Sequence, residues 1–75
     1  MTRKVYYVTS VGDVWGVRRA RRKRMDSIHM LKEEAVAHAK RLAKAAPLGQ
    51  VQVHGRNGRV QAEYTYKEDP HGSRG

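Results

Sequence analysis

The chain has 75 residues, enough for one domain, and a domain of this size buries only about 60% of the surface that its unfolded chain exposes. It carries 16 Lys and Arg against 7 Asp and Glu, a formal net charge of +9, which disfavours basic partners and points to a polyanion. Cysteine is absent, which excludes a disulfide framework and a thiolate zinc site, and a reducing cytoplasm is the expected location.

The basic start Met1-Thr2-Arg3-Lys4 precedes only a short apolar run, Val5 to Val8, far below a signal core or a membrane span. Residues 3 to 10 are rich in β-branched and aromatic side chains, Gly12-Asp13 supply turn chemistry, and Val14 to Arg19 form a second such run. A β-hairpin is the reading. Alternation puts Tyr6, Val8, Trp15 and Val17 on one face, assigned to the core, and Arg3, Val5, Tyr7 and Thr9 on the other.

From Lys32 to Ala46 the apolar residues Ala35, Val36, Ala39, Leu42, Ala43 and Ala46 follow a helical stripe. Glu33 and Glu34 open that segment, Lys40, Arg41 and Lys44 follow, and Pro47 and Gly49 mark its end, an order that suits the helix dipole. Neither Met30 nor Leu31 can cap it.

Val51 and Val53 then alternate with polar neighbours, Gly55-Arg56-Asn57-Gly58 carries a strong hairpin signal, and Val60, Ala62 and Tyr64 continue the alternation to Tyr66. The expected fold is α+β, a ββαββ domain over residues 1–66 in which two hairpins form a small antiparallel sheet with the helix on one face. Val36, Leu42, Val53 and Val60 join the expected core. Residues 67–75, with Pro70 and no apolar side chain, read as a flexible tail.

Trp15-Gly16-Val17, Ser27-Ile28-His29, Glu33-Glu34-Ala35 and His54-Gly55-Arg56-Asn57-Gly58-Arg59-Val60 occur in an order that resembles the small bacterial and phage family called domain of unknown function 2188. The resemblance spans nearly the whole chain and implies the fold above, with no activity attached. Leu31 stands where that family usually has a Thr or Ser cap, and its usual linker after the second strand is milder than the arginine run found here.

Residues 18 to 24 read Arg-Arg-Ala-Arg-Arg-Lys-Arg, six cations in seven positions, expected to join a strand to the helix. Guanidinium forks suit phosphate oxygens, so Arg18, Arg19, Arg21, Arg22, Lys23 and Arg24 are candidate nucleic-acid contacts, with Arg56 and Arg59 at the second turn. The sheet face away from the helix is expected to show Arg3, Tyr7, Arg18, Gln52, His54, Arg59 and Gln61, and Tyr7 could stack on a base.

His29, His38, His54 and His71 share no metal-ligand spacing, and the seven carboxylates sit in turns, the helix start and the tail, so neither metal, cofactor nor catalytic residue is expected. His29 is expected to hydrogen-bond beside Ser27 and tie down the entry to the helix. The functional expectation is a non-enzymatic accessory protein that binds DNA or RNA through phosphates with little sequence preference. The alternative is a small bacterial or phage regulator that docks on an acidic protein. A weak homodimer through the uncovered sheet face is a further expectation.

Overall fold

The computed structural model describes residues 3–67. In chain order they form β1 (Lys4–Val11), β2 (Val14–Arg19), β3 (Ser27–His29), α1 (Lys32–Lys44), β4 (Leu48–His54) and β5 (Val60–Lys67). The α+β class holds. The sheet, however, has five strands in the order β3-β2-β1-β4-β5, and it is mixed.

The two expected hairpins, β1–β2 and β4–β5, are both present and antiparallel. They join through a parallel pair, with Tyr6 opposite Val51 and Val8 opposite Val53. A parallel pair needs a long crossover, and here β2, β3 and α1 lie between its two strands in the chain. The added strand β3 pairs antiparallel with β2, Trp15 opposite His29 and Val17 opposite Ser27. The arginine-rich segment therefore connects two strands, and Arg18 and Arg19 themselves belong to β2.

Gly12 takes φ +60 in the two-residue β1–β2 turn, a backbone conformation that a hairpin turn of this length requires and that glycine adopts without a Cβ penalty. In the second turn the Gly55 amide donates to Arg59 O at 2.8 Å, the Gly58 amide to Gly55 O at 2.9 Å, and Asn57 Oδ1 accepts the Arg59 amide at 3.0 Å. β5 reaches Lys67, one residue into the expected tail, and the rest of that segment, with His71, lies outside the described residues.

Helix α1 lies on one face and buries Ala35, Ala39 and Ala43 against Tyr6, Val8, Trp15, Val17, Val51 and Val53. Val36, Leu42, Ala62 and Tyr66 pack around this cluster. Alanines on the buried stripe let the helix approach closely. At its end the approach is tightest: a Cβ on Gly49 would overlap the carbonyl of Ala43, so only glycine fits there. Leu31 is the N-cap residue and makes no side-chain cap bond, as its chemistry dictates.

Val60, expected in the core, is 51% exposed. A register shift at Val53/His54 explains it: Val53 pairs with Ala62 while His54 pairs with Val60, so Gln61 is an extra residue and the alternation changes face there. The same bulge carries Gln61 to the helix side, where its Oε1 accepts from Lys32 Nζ at 2.6 Å. Ile28, Met30 and Leu31 are also exposed, leaving the core to Val, Ala, Tyr and Trp.

Candidate functional site

Among the described residues no element covers the second sheet face, and on it the side chains of β1, β2 and β4 stand in rows. Tyr7 lies between Arg18, its partner on β2, and the β4 residues Gln52 and His54. The Arg18 guanidinium carbon is 5.1 Å from the Tyr7 ring centroid, and the Tyr7 and His54 rings are 5.4 Å apart at a 44° tilt. The phenol is thus flanked on both sides. A ligand ring would have to displace one neighbour to stack on it, so the arrangement favours polar contact through the hydroxyl and the guanidinium. His54 Nε2 is enclosed and has no hydrogen-bond partner among the described residues.

Next to this row, at the end of the sheet where β1 and β4 begin and β2 ends, lies a cleft of about 540 Å³ lined by Arg3, Val5, Arg19, Ala20, Arg21, Arg22 and Leu48. Four guanidinium groups thus border one recess, and among the described residues no carboxylate stands in its lining. The loop that supplies Arg21 and Arg22, with the end of β2 that supplies Arg19, is tied at several points. The Ala20 amide donates to Val5 O at 2.8 Å, the Arg22 amide to Arg19 O at 3.1 Å and the Asp26 amide to Val17 O at 2.7 Å. Arg18 Nη1 donates to Arg22 O at 2.7 Å, which links the loop to the open-face row. Arg3 Nη1 reaches Gln50 Oε1 at 3.5 Å on the same face.

Arg21 holds φ +73 within that turn. A side chain in this region costs about 1–2 kcal/mol relative to ordinary backbone, so the turn is strained where its charge is greatest.

The expected contact residues are therefore not all brought together. Tyr7 and Arg18 share the open face, and Arg19, Arg21 and Arg22 share the cleft, joined there by Arg3. Lys23 and Arg24 are exposed in the loop outside the cleft lining. Arg56 lies at the opposite end of the sheet, in the β4–β5 turn, where its Nη1 approaches Gly12 O at 3.4 Å, and exposed Arg59 closes that same turn.

Residues 6–66 match the bacterial family described as "Uncharacterized protein conserved in bacteria (DUF2188)". The chain belongs to that family. Its match to DUF2188 runs from within β1 to within β5, so it includes β2, β3, the helix, β4 and the arginine-rich loop. Neither a curated protein nor a solved structure matches the chain.

Ser27 and His29 stand two residues apart on one face of β3 and are joined by an Oγ–Nε2 hydrogen bond of 2.8 Å, the tie expected before the helix. The His29 and His38 rings are 5.2 Å apart, which links β3 to α1. Among the described residues no three potential metal ligands gather, and no helix is long and apolar enough to cross a membrane. The sequence does not single out Lys32 and sets Gln61 on the face away from the helix, whereas the structure places Gln61 on the helix side. Lys32 and Gln61 stand with Arg56 around Trp15, and only the bulge, which periodicity does not announce, brings Gln61 to that side.

Proposed function

We propose that this protein is a non-enzymatic nucleic-acid-binding accessory protein that contacts phosphates through the arginine cleft and the adjoining row on the open sheet face, with little sequence preference. One observation carries the reading. Arg3 just before β1 and Arg19, Arg21 and Arg22 from the end of β2 and its loop, distant in sequence, border a single recess with no carboxylate among the described residues of its lining. Such a gathering of like charges is stabilised by an anion, and guanidinium forks match phosphate oxygens. The flanked ring of Tyr7 supports backbone contact over base readout.

The test is the salt dependence of duplex DNA affinity. Changing Arg3, Arg19, Arg21 and Arg22 together to Ser removes up to four phosphate contacts and lowers the slope of log K against log salt by roughly 3.6. The same change at Lys40, Arg41 and Lys44 on the helix should leave the slope near that of the parent. Equal losses from both sets would reduce the binding to diffuse electrostatics.

A second reading, docking on an acidic protein, draws on the exposed Ile28, Met30 and Leu31 that follow the basic loop. It moves ahead if the slope is unchanged in the cleft variant while circular dichroism shows an intact fold.

A further inference from the structure

Beside Trp15, on the helix-covered side and at the end of the sheet away from the arginine cleft, lies a second recess of about 440 Å³. Trp15, Lys32, Gly55, Arg56, Asn57 and Gln61 line it, drawn from β2, α1, the β4–β5 turn and β5. Two cations from separate elements approach the same indole. Lys32 Nζ is 5.2 Å and the Arg56 guanidinium carbon 5.3 Å from the ring centroid.

Cation–π attraction accounts for each cation alone, but both line one small recess in which no lining residue carries negative charge. The hydrogen bonding points the same way. Gln61 Oε1 accepts from Lys32 Nζ at 2.6 Å, and Asn57 Oδ1 accepts the Arg59 amide at 3.0 Å. Both donors lack acceptor capacity, so they fix the amides with their oxygens turned to the protein and their NH₂ groups left over. Gly55 permits this arrangement, because a Cβ there would stand 2.6 Å from Gln61 Nε2. Each side-chain amide oxygen of the recess thus already accepts a bond, and the groups left to a ligand are mostly donors: the Lys32 ammonium, the Arg56 guanidinium beyond its contact with Gly12 O, and two amide NH₂ groups.

We infer that this recess is an anion site for a phosphate monoester, held by Lys32 and Arg56 with the Gln61 and Asn57 amides as further donors. A monoester carries about −1.5 to −2 charge near neutral pH and three acceptor oxygens, which matches two cations and several spare N–H groups. A phosphodiester within a strand carries only one charge. The site shares no lining residue with the arginine cleft and does not depend on that cleft's role.

The chain contains a single Trp, so intrinsic fluorescence reports on this recess directly. Titration with inorganic phosphate, against sodium chloride at equal ionic strength, should give a saturable change in Trp15 emission. Lys32→Gln and Arg56→Gln should each weaken it about tenfold, since each removes a charge-assisted contact. Arg21→Ser and Arg22→Ser, in the other cleft, should leave the titration as in the parent. An unphosphorylated oligonucleotide should not compete.

Arg56 is exposed at a turn, so its variant decides the matter if Lys32→Gln disturbs the helix start. A change no different from that with chloride, an unaltered titration in Arg56→Gln, or displacement of phosphate by the unphosphorylated oligonucleotide would each overturn the assignment.

Discussion

Tyr6 and Tyr7 are neighbours in one strand, yet they have opposite fates. Tyr6 is 7% exposed beneath the helix, in the cluster with Val8, Trp15 and Val17. Tyr7 stands on the other face between a guanidinium and an imidazole. The two-residue period of a strand is the whole cause, and it divides the molecule into a face that holds it together and a face left to do something else. Aromatic content does not distinguish the faces; the company each ring keeps does.

The sharpest way to break that comparison is to truncate one ring on each face. Trp15→Ala should cost about 3–5 kcal/mol, a large share of the stability of so small a domain, and is expected to unfold it. Tyr7→Ala should cost about 1 kcal/mol or less, because no layer of the described residues lies above the open face to collapse. Chemical denaturation of both variants checks the pair, and equal costs would mean that the open face is covered in solution. Gly49→Ala comes next, at about 3 kcal/mol. The new methyl group would meet the backbone of Ala43, with the carbonyl carbon only 2.8 Å away, and backbone cannot rotate aside as a side chain can.

Arg21→Gly sharpens the comparison from the other side. Here one change should separate binding from stability. Glycine takes φ +73 without strain, which offsets the conformational freedom it adds to the unfolded chain, so the melting temperature should be unchanged or higher. Loss of one guanidinium from the cleft should nevertheless lower the duplex-DNA salt slope by about 0.9. A lower melting temperature with an unchanged slope would make Arg21 a structural residue.

Much of the covered face was legible because a regular period leaves a regular trace. Tyr6, Val8, Trp15 and Val17, the Ala35–Ala39–Ala43 stripe and both hairpin turns stand where periodicity and turn chemistry place them. What escaped was set by pairing between distant segments. The three residues of β3 are too few to show a period, and Ser27-Ile28-His29 reads equally well as a helix approach. The parallel β1–β4 pairing has no local signature, so the hairpins read as one antiparallel sheet. The bulge reversed Val60 and Gln61, which alternation alone had put on the wrong faces. The cleft was half visible: the charge of Arg19, Arg21 and Arg22 is plain in sequence, whereas the presence of Arg3 beside them follows from the pairing of β1 with β2 and β4.

The smallest expected effect lies where the two faces meet the sheet edge, at the contact between β3 and α1. The His38 pKa is held below its usual 6.5, first by burial, then by His29 across the gap, then by Arg41 on its own helix, with Asp26 pulling weakly the other way. The folded protein therefore takes up this proton less readily than the unfolded chain does. Above about pH 6.5 both states hold a neutral ring and His38 makes no difference to stability; as pH falls below it, the unfolded state binds the proton first and stability declines until the folded pKa is passed. The melting temperature should accordingly be level between about pH 8 and 7 and fall toward pH 5, with His38→Gln flattening part of that fall. Arg41→Gln should move the His38 titration upward and Asp26→Asn should move it downward, since each removes one of the charges acting on the ring. Proton NMR of the imidazole resonances measures this directly. A His38 titration at or above 6.5 would mean that β3 does not stay docked on the helix, and the edge of the sheet would then belong with the open face.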